Sequence, residues 1–416
     1  MSTSSTDRPQ GTAAPVVFNP FDPDFRVNPY PVYRRLREER PVQQTFPGNW
    51  VLSRYADCAA LLRDPRASSD ARNSAEYQAL IRDQDGSGAQ GFDLDGRSFL
   101  FLDPPDHTRL RGLVSKAFTP RVVERLRPRI QQIVDELLDA AAVKEQMEVI
   151  EALAYPLPVQ VISEMLGVPR EDSEVFKGWS RVLAQGLDPT PTMDPEQQAR
   201  LIEASTAFTD YFRALIAKRR RDPADDLLSA LIAVEERGDT LSEPELLSTC
   251  ILILIAGHET TVNLIGNGLL ALLRDPEAMS RFRDDPAIEK TAIDELLRYD
   301  PPVQLTSRIL LDDYEVDGTV IRKGESAVLL LASANRDAAE FEEPDTLNLA
   351  RANNRHLAFG YGIHYCLGAP LARVEGEIAL STLARRFPRL TLITDSPPYK
   401  ANIVLRGLAE LPVMLV

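Results

Sequence analysis

The first place where this chain could do chemistry is a cysteine in a loop shaped to approach a flat ligand. Cys366 lies in Phe359-Gly360-Tyr361-Gly362-Ile363-His364-Tyr365-Cys366-Leu367-Gly368, and an apolar helical pattern follows from Ala369 to Leu380. Gly360 and Gly362 permit positive φ and let the backbone come close to a partner with no Cβ in the way. The first N–H groups of the following helix would point back at the sulfur and favour its thiolate. Phe359 is placed to cover the sulfur from water. A thiolate is costly to hold unpaired. A haem iron accepts its electron density, and an axial thiolate on such an iron favours O–O cleavage. Cys58 and Cys250 lie in no such pattern and read as small buried core residues.

A second constellation sits in the most apolar stretch, Leu246 to Leu273, which carries Ala256-Gly257-His258-Glu259-Thr260-Thr261. An acid beside a hydroxyl in such a helix must be satisfied or useful. Ala256 and Thr260 are one turn apart and share a face. Gly257 removes bulk, and Thr260 can bond back to the carbonyl four residues earlier, so together they could open a notch for dioxygen and a water. His258 reads as a satisfied structural residue. A third group consists of scattered basic side chains: His107 and Arg111 at i, i+4, Arg308 in an extended stretch, and His364 beside the cysteine. Arg offers a bidentate fork to a carboxylate and His a single donor. Glu295 and Arg298 form an i, i+3 pair of a kind found on any solvated helix.

These runs carry a resemblance. The cysteine segment is similar to the Phe-x-x-Gly-x-x-x-Cys-x-Gly loop of cytochrome P-450 monooxygenases, with Phe359, Gly362, Cys366 and Gly368 in register. The Ala256–Thr260 stretch resembles that family's Ala/Gly-Gly-x-Asp/Glu-Thr segment, and Glu295–Arg298 its Glu-x-x-Arg motif. The likeness extends from about Phe18 to Val416 and is closest to soluble bacterial members that oxidise macrolides, other polyketides or steroid-like molecules. The resemblance implies haem b (iron protoporphyrin IX) on Cys366, with Phe359 and Ala256 against the cofactor. It also implies His107, Arg111, Arg308 and His364 on the propionates, Glu259 as the acid relaying protons, and Thr260 as the alcohol on the oxygen side. His356 is given no ligand contact. The family's arginine after the meander Pro-Asp is missing, because Pro344-Asp345 is followed by Thr346 and Leu347; either Arg351 or Arg355 replaces it, or the network is smaller.

The elements that must position these residues are mostly helical. Asp106 is a candidate N-cap for a helix carrying His107 to Phe118, and Thr119-Pro120 starts another that runs to about Ala142. Ser242 and Glu245 form a candidate capping box for the long apolar helix, and Asp275-Pro276 stops it. Strand signals are few: Trp50 to Ser53, a hairpin of Tyr314–Val316 and Thr319–Ile321 with a primed turn at Asp317-Gly318, Val328 to Leu331, and Leu411 to Val416. The expected class is mainly α with small β-sheets, a cytochrome P-450 fold with a long central helix over the haem. Residues 1–15 read as a flexible tail and 16–416 as one domain. The substrate pocket is expected from Ser68–Arg97, Gly186–Phe212, Leu252–Thr260, Val303 and Ile403.

Composition narrows the alternatives. The net charge of −15 argues against a nucleic-acid partner, and three cysteines form no disulfide framework, which suits a cytoplasmic setting. The apolar helix carries Glu259, Asn263 and Asn267 and reads as core rather than a membrane span. No Gly-rich dinucleotide loop and no iron–sulfur cysteine spacing are present. Electrons are therefore expected from a separate ferredoxin and its NAD(P)H-dependent reductase, docking near Arg109, Lys116 and Arg373. The expected reaction inserts one oxygen atom from O2 into a mid-sized apolar organic substrate. Rival readings are a peroxide-driven haem-thiolate oxygenase, a non-catalytic haem gas-binding protein, and a helical protein without cofactor.

Overall fold

The apolar stretch forms one helix, Glu243–Leu273, of 31 residues. Glu245 reaches back to accept the Ser242 N–H at 2.7 Å, which fixes the first turn. At the other end Asp275 accepts from Ala278 N–H and opens the next helix, Pro276–Asp284. The long helix is apolar enough to cross a membrane, but 78% of its most apolar window is buried inside the protein. It is the axis of the core, packed by Pro156–Met165, Glu289–Tyr299 and Ala369–Arg386. The computed structural model describes residues 16–45, 48–83, 98–185, 194–235 and 241–415. The tail 1–15 lies outside them, as do 84–97 and 186–193 of the two expected pocket segments.

Small sheets flank the helices. Val42–Gln44, Trp50–Leu52, Ser326–Leu329, Thr306–Leu310 and Ala67–Ser68 form a five-stranded sheet in that order. Its register sets Arg308 opposite Ala327. Gln146–Glu148, Pro412–Met414 and Thr391–Leu392 form a second sheet. The Tyr314–Ile321 hairpin turns at Asp317 and Gly318 with φ of 50° and 71°, the left-handed pair a primed turn requires. The expected strand at Val328–Leu331 ends at Leu329, because Leu331 begins a short helix.

Thr119 caps Pro120–Ala141 by accepting from Val122 N–H. Asp106 does not cap the preceding helix. It is the first residue of Asp106–Ala117, and Pro105 occupies the cap position without a side-chain bond. The acid that turns inward there is Asp103, which accepts from Ser68 Oγ at 2.5 Å and Ser69 N–H at 3.0 Å. Ser68 thus belongs to a strand edge held by Asp103 and not to a loose loop, and Ala75–Asp83 is a helix.

Behind the cysteine loop lies a fully buried charge network. Arg298 donates to both oxygens of Glu295 at 2.8 Å. It also donates to the carbonyls of Asn335 at 2.9 Å, Pro344 at 2.7 Å and Thr346 at 3.1 Å. Arg351 supplies the third member, with Nε at 3.0 Å from Glu295 Oε2. Arg355 instead lies exposed, 4.0 Å from Glu340. The structure therefore answers the question left by the missing meander arginine: Arg351 fills that place. Removing one partner of a buried pair leaves an uncompensated charge and costs about 3–5 kcal/mol. Arg351→Ala is expected to destabilise the chain by an amount of that order in urea unfolding, and Arg355→Ala by less than about 0.5 kcal/mol; equal effects would contradict the assignment.

Candidate functional site

The helix Ala369–Arg386 begins where the cysteine loop ends. Gly360 and Gly362 take φ of +68° and +70°, and a Cβ on Gly362 would run into the Leu62 carbonyl. The turn returns Cys366 N–H to the Phe359 carbonyl at 2.9 Å. Burial pushes the Cys366 thiol up. The N–H groups of Gly368 and Ala369 and the charges of Arg111 and Arg373 pull it down without overcoming burial. The sulfur is thus set to favour an anion once something takes its electron density. The accessible surface of Cys366 belongs to the wall of an internal cavity. The Phe359 ring packs under the Arg373 guanidinium at 4.6 Å.

The cavity measures about 430 Å³, within the ~300–1,000 Å³ typical of sites for organic ligands and cofactors. One wall carries Cys366, Phe359 and Gly360, and another carries Ala256, Gly257, Thr260 and Thr261. Much of the remaining lining is apolar, with Phe99, Phe101, Phe118, Ile162, Met165, Leu297 and Leu405 among it. Of the expected pocket segments, Leu252, Ile253, Ile255, Ala256, Gly257 and Thr260 line it with Val303, and Ser69 does so from the segment 68–97. Residues 194–212 do not; their helix, Pro195–Arg221, packs on Ser173–Gln185 and on the central helix. Ile403 faces a small surface recess, and its neighbours Val404 and Leu405 face the cavity instead. The Phe99–Phe101 wall had no periodic signal in the sequence, being a single 3-10 turn.

Thr260 Oγ1 donates to the Ala256 carbonyl at 2.7 Å, as its spacing suggests. The Gly257 notch is different: the space a Cβ would take is filled by Ile162. Gly257 permits close packing of Pro156–Met165, and the open face is that of Ala256 and Thr260. Glu259 is turned away from the cavity lining. Lys400 Nζ donates to its Oε1 in a very short contact, and His258 Nε2 lies 3.4 Å from Oε2. Burial alone would raise its pKa, but His258 and Lys400 bring it to about 2, so it is a carboxylate at neutral pH. His258 also bonds Ser180 Oγ at 2.7 Å, in keeping with its structural reading. Lys400 comes from a strap in which Tyr399 bridges Leu408 and Lys400 N–H bonds the Gly407 carbonyl at 2.9 Å.

Four basic side chains gather at the edge of the cavity, drawn from three separate segments. Arg111, Arg308 and His364 are in its lining, and the His107 ring lies 4.2 Å from that of His364. Arg308 is buried, and its Nη1 reaches only the Ser307 carbonyl at 2.7 Å and Thr306 Oγ1 at 3.4 Å. Burial lowers its pKa to about 10. His364 is lowered to about 3 by burial and then by Arg308, His107 and Arg111. Both ring nitrogens of His107 and Nε2 of His364 are buried without a hydrogen-bond partner. Such a set is incomplete as it stands, and a ligand bringing carboxylates to this edge would complete it. His356 bonds Asp294 at 3.2 Å. Of the three charges expected to guide a redox partner, Arg109 pairs with Glu245, and Arg373 pairs with Asp294 at 2.8 Å.

Comparisons with known proteins agree with this geometry. The cytochrome P450 family model matches residues 82–287 and 288–407. Cytochrome P450 CYP107DY1 of Priestia megaterium is 45% identical over 370 residues, covering 88% of this chain and 89% of that protein. Vitamin D(3) 25-hydroxylase of Pseudonocardia autotrophica is 41% identical, covering 95% of this chain and 96% of its own length. The solved structure of the Bacillus subtilis bacillaene polyketide synthase cytochrome P450 PksS superposes with a TM-score of 0.87 at 40% identity, covering 96% of this chain and 100% of that one. A cysteine loop on one wall, a threonine turn on the other, and relatives of this closeness over nearly the whole length have one reading: the chain belongs to the cytochrome P450 family of haem b monooxygenases.

Proposed function

We propose that this enzyme inserts one oxygen atom from O2 into a mid-sized apolar molecule of polyketide or steroid-like type, with electrons from a separate ferredoxin and its NAD(P)H-dependent reductase. The observation that carries it is the apolar cavity with Cys366 in one wall, the Ala256–Thr260 turn in the other and unpartnered basic groups at its edge. Relatives named for polyketide biosynthesis and for vitamin D(3) 25-hydroxylation suit such a cavity. The unpaired state of all three cysteines suits a reducing compartment.

In this reading Cys366 Sγ ligates the iron, steadied by the N–H groups of Gly368 and Ala369. Arg111, Arg308, His107 and His364 take the propionates. Bound haem supplies oxygen activation, with the sulfur ligand favouring O–O cleavage. The chain's own part is to position and to move protons. Phe99, Phe101 and Leu405 hold an apolar ligand and exclude water. Thr260 Oγ1 gives its hydrogen to the Ala256 carbonyl, which leaves its lone pairs free to accept a proton and pass it on. Glu259 can relay a proton to that turn only after Lys400 releases it.

We place the ferredoxin docking face on the cysteine-loop side of the molecule. Tyr361, Ile363 and Tyr365 stand exposed on the cysteine loop, with Arg63 stacked on Tyr361 at 4.4 Å and Arg373 Nη1 at 3.5 Å from the Tyr365 hydroxyl. This knuckle, together with Arg109, Lys116 and Arg373, is the surface offered to ferredoxin.

The reduced protein with carbon monoxide should show the red-shifted thiolate band, and Cys366→Ser should lose it. Arg308→Ala should keep the band and lose haem faster to an apoprotein acceptor. A nitrogen-type spectrum from the unaltered chain would remove the proposal. A screen of polyketide lactones, sterols and fatty acids for a low-to-high-spin shift tests the substrate class. With the ligand giving the largest shift, Thr260→Ala should release more hydrogen peroxide per NAD(P)H, and unchanged coupling would take the role from Thr260. Ile363→Glu should slow reduction by ferredoxin and leave carbon monoxide binding as before; an unaltered reduction rate would move the docking face elsewhere.

A further inference from the structure

The small recess beside Ile403 lies where the first helix, Pro23–Val27, meets the strap that carries Lys400. Three cationic side chains, Arg26, Lys400 and Arg406, line it, and among the described residues no acidic side chain does. In a chain of net charge −15 such a wall is the reverse of the average surface. Arg406 is already answered. Its Nε donates to Asp300 Oδ1 at 2.8 Å, and its Nη groups donate to the Arg26 carbonyl and, at 3.0 Å, to that of Val27. Lys400 is answered by Glu259 and, at 3.3 Å, by Asn263 Oδ1. An ammonium has three hydrogens, so one remains. Arg26 is not answered. Its guanidinium forms no ion pair among the described residues, and its Nε is buried with no hydrogen-bond partner among them.

Charge, shape and size then select the ligand. Asp300 balances Arg406 and Glu259 balances Lys400, so a single negative charge neutralises what is left. A buried N–H left unbonded is costly, and the planar fork of a guanidinium matches the two oxygens of a carboxylate. The recess measures about 20 Å³, room for about one or two water-sized atoms. It opens to solvent, so the remainder of an organic acid can lie outside it. A phosphate dianion brings one charge too many and more oxygens than this space admits.

We propose that this recess is a binding site for the carboxylate of a small organic acid, separate from the large cavity. Arg26 takes the two oxygens through its Nε edge, and Lys400 adds its third hydrogen while keeping Glu259. Arg26 belongs to the first helix and Lys400 to the strap, so the ligand ties the two together. It reinforces a joint that Arg406 already makes with the Arg26 and Val27 carbonyls. Val404 and Leu405 of the same strap line the large cavity. A carboxylate in the recess therefore steadies one wall of that cavity from outside. No covalent bond changes, and the site stands on these side chains and not on the haem.

Hydrogen exchange of the holoenzyme tests this, with acetate as the probe and chloride at equal ionic strength as the control. Line broadening of carbon-13 acetate gives the dissociation constant. At about ten times that concentration, backbone amides of residues 24–33 and 399–407 should exchange about tenfold more slowly in the unaltered chain, because opening must release the ligand. Arg26→Gln should lose the effect. Arg26→Lys, which keeps the charge without the fork, should need about tenfold more acetate for the same protection. Both variants should keep the carbon monoxide spectrum of the unaltered chain, since no described residue bonds the Arg26 side chain. No slowing by acetate, equal slowing by chloride, or slowing that survives Arg26→Gln overturns the site and leaves the haem chemistry standing.

Discussion

A sulfur atom set into an apolar wall must either keep its proton or share its charge with a metal. The donors around Cys366 favour the second state without being sufficient to reach it alone. Burial raises the thiol, while two backbone N–H groups and two guanidinium groups lower it. The same incompleteness recurs at the cavity edge, where Arg308 and His364 are held inside with depressed pKa values. One end of the site asks for a cation and the other for anions. A porphyrin with an iron centre and carboxylate arms would answer both requests at once. In the proposed reading the cofactor would stabilise the fold through electrostatic completion as well as through apolar contact.

Rigidity behind the loop follows from Glu295. Its two oxygens accept from Arg298, Arg351, Asn354 and the Asn348 backbone. Arg298 in turn ties down three carbonyls of the meander. A buried carboxylate with this many donors fixes irregular chain where no helix or strand does so. It provides the stiff backing on which a strained glycine loop can hold a sulfur in place.

What was legible in the sequence is what is local. The cysteine loop, the hairpin turn at Asp317-Gly318, the Thr119 cap and the Thr260 back-bond are set by neighbours within a few residues. Asp106 failed as a cap because the adjoining Pro105 already has helical φ and ψ. The missed contacts join residues far apart: Lys400 to Glu259 across 141 positions, and Thr261 to Glu375 across 114. No periodicity marks such pairs, since they depend on how whole helices cross. Resemblance located Glu259 but not the direction of its side chain, which is decided by the strap that brings Lys400.

That strap serves two masters. Lys400 grips the outward acid, while Val404 and Leu405, a few residues on, form part of the ligand cavity. Gly407 seats the segment so tightly on the central helix that a side chain there would collide with Asn263. Anyone redesigning the enzyme's selectivity at Val404 therefore alters a lever as well as a surface. If Glu259 relays protons as proposed, selectivity and coupling efficiency meet in this short stretch of chain, and the two traits would not evolve independently through it.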